Sequence, residues 1–497
     1  MTMLPVAAAC LGITIVVQII IIERRLAAIP GPFLAKFTDY WKVYHLLKGD
    51  YGETIYSWHQ RHGPMIRTGP RHISVGDPNE VSRVYQIKPL LHKGNMYKGV
   101  VGWVKGKNVA GLEGMVDEVE HTNVKRVIAP AFSWRSVLNY ESHINNSAEE
   151  LVKNLENRDF VDINEWFPYW AIDSMNNIAF STDMGFMKQA TDIGGTMKTI
   201  RAFTSVWMYI FAFPTVFMWF AWALSFFVGP SGKLVAMCLE RVSSRMEEKK
   251  KEDKVATEVD LLDFYIKARQ EHPDIIAHER VIGMTFTTLL AGADTTAFNL
   301  AWTVYYLLKN PAALRCLQEE LDKAVLEDSM SYPPTLQELS KLPYLDAVFK
   351  EGMRYALILQ LNMDRVVPKG GMEICGHHIP AGTTVGCLSR VIHFDKGVYG
   401  ADAESFRPER WLEASEEQRK VMERCAIWFG SGKHTCIGQH FARAKTIKAL
   451  SMMLMKLEIS DADKDAKMVS GAISSTRAPT HPYYIKVKKR DVYLAEA

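Results

Sequence analysis

The sequence predicts a mainly α-helical protein with small β-sheets, an α+β fold, behind an N-terminal transmembrane helix. Three observations carry this: helical periodicities that dominate from Asp77 to Lys350, strand-like regions early and late, and an uncharged apolar run at the start. The 497 residues, 48% hydrophobic and 23% charged, suffice for a large globular body able to bury a cofactor. With 59 Lys and Arg against 56 Asp and Glu, the net charge of +3 argues against nucleic-acid binding. The one charged run, "RMEEKKKEDK" at Arg245–Lys254, reads as a solvated loop.

Taken in order, Met3–Ile22 carries no charge and only Gln18 as a strongly polar residue, and a bilayer core needs about 20 residues of helix. A cleaved signal peptide is the competing reading, but Arg24 and Arg25 follow the apolar run instead of preceding it. The positive-inside rule then places the rest in the cytosol. "AAIPGPF", with Pro30 and Pro32 around Gly31, makes a stiff turn, so residues 1–22 are expected as anchor, 23–35 as hinge and 36–497 as one domain.

"PMIRTGPRHISVGDP", Pro64–Pro78, reads as a hairpin around Gly69 and Pro70, and short β-branched runs return between Arg365 and Cys387. Val206–Val228 is apolar enough to span a bilayer, but a second span would carry the C-terminal half into the lumen. An interfacial helix, loop and helix fits better, leaving the sequon at Asn145 unglycosylated. The seven cysteines are scattered and never form C-x-x-C, which argues against a disulfide framework or zinc knuckle and for a reducing compartment.

Four motifs carry chemistry. In "FGSGKHTCIG", Phe429–Gly438, Cys436 stands at or just before the start of an amphipathic helix, a position that favours the thiolate. Gly430, Gly432 and Gly438 leave room for a large flat group near the backbone. A buried free cysteine is the competing reading; a nucleophilic pair with His434 fits less well, because no third group orients the base. "LLAGADTTAFNLAWTVYYLL", Leu289–Leu308, embeds Asp294 and Thr295 in an apolar helix, an acid beside a hydroxyl as a proton relay requires. A structural hydrogen bond at Asp294 is the alternative. Glu351 and Arg354 form an E-x-x-R pair, commonly an exposed and weak one. Arg410 in "FRPERW" could reach the same carboxylate and make a buried three-member network.

In this order and spacing the four motifs resemble the cytochrome P450 superfamily of haem-thiolate monooxygenases, over essentially the whole chain. The resemblance implies the cytochrome P450 fold and haem b (iron protoporphyrin IX) held by an axial Cys436 thiolate, with Phe429, Gly430 and Gly438 in the haem loop. It also implies proton delivery by Asp294 and Thr295 and a structural triad of Glu351, Arg354 and Arg410. Two departures stand out. His434 replaces the arginine usual two positions before the cysteine, and "HTNVK" puts His121 and Lys125, with Arg126 adjacent, where W-x-x-x-R is usual. Arg365 in "MDRVV" is then the most dependable propionate partner.

A closer likeness, carried by "IPGPFLAKFTDYWKVYHLLKGDY" and "VIHFDKGVYGADAESFRPERWLE", is to filamentous-fungal microsomal enzymes of the pisatin demethylase type. It implies a monomeric catalytic domain on the cytosolic side of the endoplasmic reticulum membrane, single-pass, oxidising a lipophilic terpenoid, polyketide or alkaloid of secondary metabolism. With no flavin-binding domain up to Ala497, electrons are expected from a separate NADPH-cytochrome P450 reductase docked at Lys433, Arg443, Lys445 and Lys448. The segments Asn95–Met115, Trp207–Phe227, Leu290–Ala293, Leu357–Met363 and the turn near Ala472 are expected to line the pocket. Two alternatives remain: an isomerase or dehydratase needing no dioxygen, against which Asp294 and Thr295 speak, and a non-catalytic haem protein, disfavoured by the apolar access region.

Overall fold

The computed structural model describes residues 25–88, 90–99, 103–104, 106–109, 111–202, 213–226, 233–252, 260–470 and 477–490. The expected anchor Met3–Ile22, the ends of the Val206–Val228 stretch and the turn near Ala472 lie outside the described residues. Among the described residues, no helix is long and apolar enough to cross a membrane.

The helices that position the site are α1 (Glu118–Ile128), α2 (Glu141–Glu156), α3 (Ile163–Phe180), α4 (Pro214–Leu224), α5 (His278–Lys309), α6 (Pro343–Ala356) and α7 (Gln439–Lys456). The strands of the two larger sheets are β1 (Met65–Gly69), β2 (His72–Val75), β3 (His92–Lys93), β4 (Phe160–Asp162), β5 (Arg365–Val366), β6 (Thr384–Cys387), β7 (Leu457–Asp461) and β8 (Tyr484–Lys489). They divide between two compact units. One comprises Met1–Met96, Leu359–Ala403 and Lys420–Thr435; the other comprises Tyr97–Ile358, Glu404–Arg419 and Cys436–Ala497.

The first unit is built on a sheet of order β1-β2-β6-β5-β3. β1 and β2 form the antiparallel hairpin whose turn chemistry is written in Gly69 and Pro70, and β6 joins β2 in parallel with Val385 opposite Ile73. Every residue of β1 is buried, including Arg67, whose guanidinium donates to the Lys36 and Pro70 carbonyls. The proline-containing segment packs here too: the Arg67 N–H donates to the Pro30 carbonyl at 2.7 Å. A Cβ on Gly31 would lie 2.2 Å from the Arg67 carbonyl oxygen, so only glycine fits this approach.

The second unit is organised around α5, 32 residues long and buried on most sides, as its lack of a charged stripe requires. Nearly all of α3 is buried against it. The two backbones close up at Gly292, where a Cβ would lie 2.7 Å from Met175 Sδ. A β4-β8-β7 antiparallel sheet completes the unit, with Ile459 opposite Val487. The run "RMEEKKKEDK" is not the loop expected of it: as far as Glu252 it continues the helix Lys233–Glu252, and Arg245 turns inward to the Asp260 and Asp263 carboxylates, at 3.0 and 2.7 Å.

Candidate functional site

Cys436 stands two residues before Gly438, the N-cap of α7, so the helix end lies where the sequence puts it. The expected depression of the thiol pKa does not follow. Surrounding protein pushes the Cys436 thiol above its ordinary value; the Gly438 N–H and the Lys125 ammonium pull it back only in part, and the Glu113 carboxylate adds to the rise. A helix end acts over one turn, whereas desolvation sums over the whole surroundings. The side chain nevertheless remains accessible to solvent.

On α5, the Asp294 carboxyl is buried and neither of its oxygens has a hydrogen-bond partner among the described residues. Burial pushes its pKa up to about 7, against the pull of the Arg201 guanidinium. Thr295 is half-exposed, and its hydroxyl donates back to the Ala291 carbonyl at 2.6 Å. Adjacent residues point about 100° apart on a helix, so the acid and the hydroxyl share a turn without touching. Ala291 is exposed as well, so one face of this otherwise buried helix is open in its middle.

Glu351, Arg354 and Arg410 are buried together. Arg354 grips the carboxylate with two parallel bonds, Nε to Oε2 at 2.9 Å and Nη2 to Oε1 at 2.7 Å. Arg410 Nε donates to Oε1 at 3.1 Å, the Arg407 backbone N–H donates to Oε1 at 2.9 Å, and Trp411 Nε1 donates to Oε2 at 3.0 Å. Against the penalty of burial, these partners hold Glu351 below the usual carboxylate range. Both guanidiniums also donate to the Ser405 carbonyl. The network therefore ties α6 to the segment 405–411.

The other expected site residues divide between the units. Phe429, Gly430, His434 and Arg365 belong to the first. Gly430 has a φ of 76°, and Arg365 is buried beside the Tyr85 ring, donating to the Met363 and Asp364 carbonyls. His121, Lys125 and Arg126 belong to α1 in the second unit, where His121 is buried, Lys125 half-buried one turn on, and Arg126 exposed.

Of the four residues expected on the basic docking face, Lys433 and Arg443 are half-buried and reach solvent, whereas the other two do not. Lys445 and Lys448 are fully buried. Lys448 Nζ pairs with Glu141 at 2.8 Å, and Lys445 donates to the Ala171 and Gly292 carbonyls. Arg443 is matched by Asp346 at 2.6 Å. Sequence reasoning treated these lysines as solvated because they are charged. Their spacing from Phe441 and Met452 places all four on one helical face, and that periodicity was the available signal.

Two of the expected pocket segments, Asn95–Met115 and Trp207–Phe227, meet within the second unit at Gly106, Ser225 and Phe226. The Gly106 N–H donates to Ser225 Oγ at 3.0 Å, and Gly106, at a φ of 76°, has space for no side chain because a Cβ would lie 2.4 Å from the Phe226 ring. Gly111 is pressed equally close to Thr287 of α5. On α4, Val216, Trp219 and Phe220 are 68, 61 and 61% exposed.

The second unit fits a thiolate-ligated haem. Cys436 Sγ is an accessible soft donor, a Cβ on Gly438 would come no nearer than 4.0 Å to it, and α5 opens a face of small residues at Ala291. A family model described as cytochrome P450 matches residues 34–487. The chain is 31% identical over 450 residues to a cytochrome P450 monooxygenase of Aspergillus terreus, covering 88% of this chain and 91% of that protein. It is 32% identical over 478 residues to cytochrome P450 monooxygenase asR2 of Sarocladium schorii, covering 92% and 91%. Against cytochrome P450 monooxygenase mpaDE of Penicillium brevicompactum it is 32% identical, covering 88% of this chain but 52%, about half, of that relative.

Proposed function

The chain belongs to the cytochrome P450 family, and on that premise we propose that it is a haem-thiolate monooxygenase oxidising a lipophilic small molecule with electrons from a separate NADPH-dependent reductase. The observation that carries this reading is the accessible Cys436 thiol at the foot of α7, in the same unit as the open face of α5 that bears Thr295 beside the buried Asp294. When bound, haem supplies the activation of dioxygen: one oxygen atom enters a C–H bond and the other leaves as water, consuming two electrons and two protons.

Each protein group then has a role. Cys436 Sγ would hold the haem iron, and because a metal-bound thiol is deprotonated outright, binding would offset the rise that the surrounding protein gives the free thiol. The Asp294 carboxyl, near pKa 7, holds a proton it can release or regain near neutral pH. The Thr295 hydroxyl, resting on the Ala291 carbonyl, needs a side-chain rotation to hand a proton on. Glu351, Arg354 and Arg410 fix α6 and make no contact with the reaction. Within the second unit, His121 and Lys125 of α1 are the proposed propionate partners.

The substrate class rests on the apolar character of the lining segments, with a terpenoid, polyketide or alkaloid of fungal secondary metabolism as the expected kind. Residence on the endoplasmic reticulum membrane is supported by the uncharged run Met3–Ile22 and by the exposed aromatic residues of α4. Reduced microsomes carrying the protein are expected to show, under carbon monoxide, the red-shifted absorption of a thiolate-ligated haem, and Cys436→Ser to abolish it. An unaltered band in the variant refutes the ligand assignment. Thr295→Ala is expected to uncouple NADPH consumption from product formation.

A further inference from the structure

We propose that Lys445 is a positioning residue for the proton-relay turn of α5: its buried side chain holds the Gly292 carbonyl and thereby sets how Asp294 and Thr295 stand. This rests on the function proposed above. Lys445 lies in the middle of α7, in a stretch with no solvent-facing side. Its stem runs past Trp170, with Nζ 5.5 Å from the ring centre, and Nζ donates to the Ala171 carbonyl of α3 at 3.2 Å and the Gly292 carbonyl of α5 at 3.3 Å.

Lys448, one turn further on, shows the contrast. It is buried with a carboxylate, Glu141, and also donates to the Pro334 carbonyl, as a structural lysine should. Among the described residues the acceptors of Lys445 are neutral carbonyls, and burial pushes its pKa down to about 7. A leucine or methionine would fill this space without that penalty, so the amine needs a use that packing does not supply.

The acceptors suggest the use. In an α-helix the Gly292 carbonyl is already the partner of the Thr296 N–H, so the Lys445 ammonium makes it a shared acceptor. The preceding carbonyl, Ala291, is shared in the same way by the Thr295 hydroxyl. Two consecutive carbonyls of one turn thus carry an extra donor, which tilts them outward and loosens the ladder beneath. Asp294 and Thr295 both sit on that turn. Lys445 touches neither; it acts through the backbone that carries them.

The test uses the full-chain holoenzyme with an NADPH-cytochrome P450 reductase, and two readouts. The first is amide hydrogen exchange of peptides covering residues 289–298 in the resting protein. Lys445→Met leaves the Gly292 carbonyl to Thr296 alone, so exchange there is expected to slow roughly fivefold, the equivalent of about 1 kcal/mol, and Lys445→Arg to restore it. The second is hydrogen peroxide released per NADPH consumed without added substrate. This ratio is expected to rise in Lys445→Met, and adding that change to Thr295→Ala should raise it no further, because both act on one turn. Unchanged exchange over 289–298 in a haem-replete Lys445→Met protein, or independent addition of the two effects, overturns the proposal. Should Lys445→Met fail to retain haem, Lys445→Leu, which likewise removes the donor, provides the same comparison. Absence of the thiolate band from the wild type would sink the functional reading and leave the exchange result standing.

Discussion

Replacing Asp294 by asparagine should make the protein more stable and less competent at once. The carboxyl is buried with neither oxygen partnered among the described residues, and its pKa rises from 3.8 to about 7. Between those values the folded chain keeps a proton that the unfolded chain has released, so stability falls as pH rises through this window and levels off above it. The full displacement corresponds to ~4 kcal/mol at pH 8. Asparagine does not ionise, but its amide is left unsatisfied at a penalty of about 1–3 kcal/mol, leaving a net gain of roughly 1–3 kcal/mol. For a chain of this size about 1 kcal/mol moves the thermal midpoint by roughly 1 °C. The assay is the melting temperature of Asp294→Asn against wild type at pH 4.5 and pH 8, with coupling measured alongside. A gain that grows with pH is expected; equal destabilisation at both pH values would show that the carboxylate is partnered and refute the reasoning.

Three further outcomes are expected. Glu351→Gln removes the charge that satisfies Arg354 and Arg410, which should destabilise by about 3–5 kcal/mol and be read as lost haem-containing protein; wild-type accumulation would contradict this. Gly432→Ala meets both a φ of 67° and the Tyr85 carbonyl oxygen 1.9 Å from the new Cβ, so a loss of more than about 2 kcal/mol should appear as a lowered thermal midpoint. His434→Arg should leave the carbon monoxide spectrum intact and slow haem loss to a scavenging protein, whereas faster loss would mean that His434 does something arginine cannot.

What was legible in the sequence was local. The β1–β2 hairpin is encoded in its turn residues, and Glu351 meets Arg354 because residues three apart share a helical face. Arg410 joins them from 56 residues beyond Arg354, a meeting that no periodicity encodes and that only the family resemblance suggested. For the charged residues the misreadings share one cause, the treatment of charge as a surface property. Lys445 and Lys448 turn inward because α7 is packed on several sides and leaves a long side chain no route to water, and Arg245 turns inward to pair with Asp260 and Asp263. At Cys436 the helix end lies where the sequence puts it, but the thiol pKa also depends on surroundings remote in sequence, including the Glu113 carboxylate that raises it and the Lys125 ammonium that lowers it.

The exposed stripe on α4 governs how the molecule behaves in a test tube. Trp219 and Phe220 lie three and four residues after Val216, so the three exposed apolar side chains share one helical face. In plain buffer such a ridge is expected to self-associate, increasingly as concentration rises. Trimming the chain before Arg25 leaves the ridge in place, so a shortened version should still form oligomers that disperse only in detergent. Changing Trp219 and Phe220 to polar residues is the more direct route to a monodisperse sample.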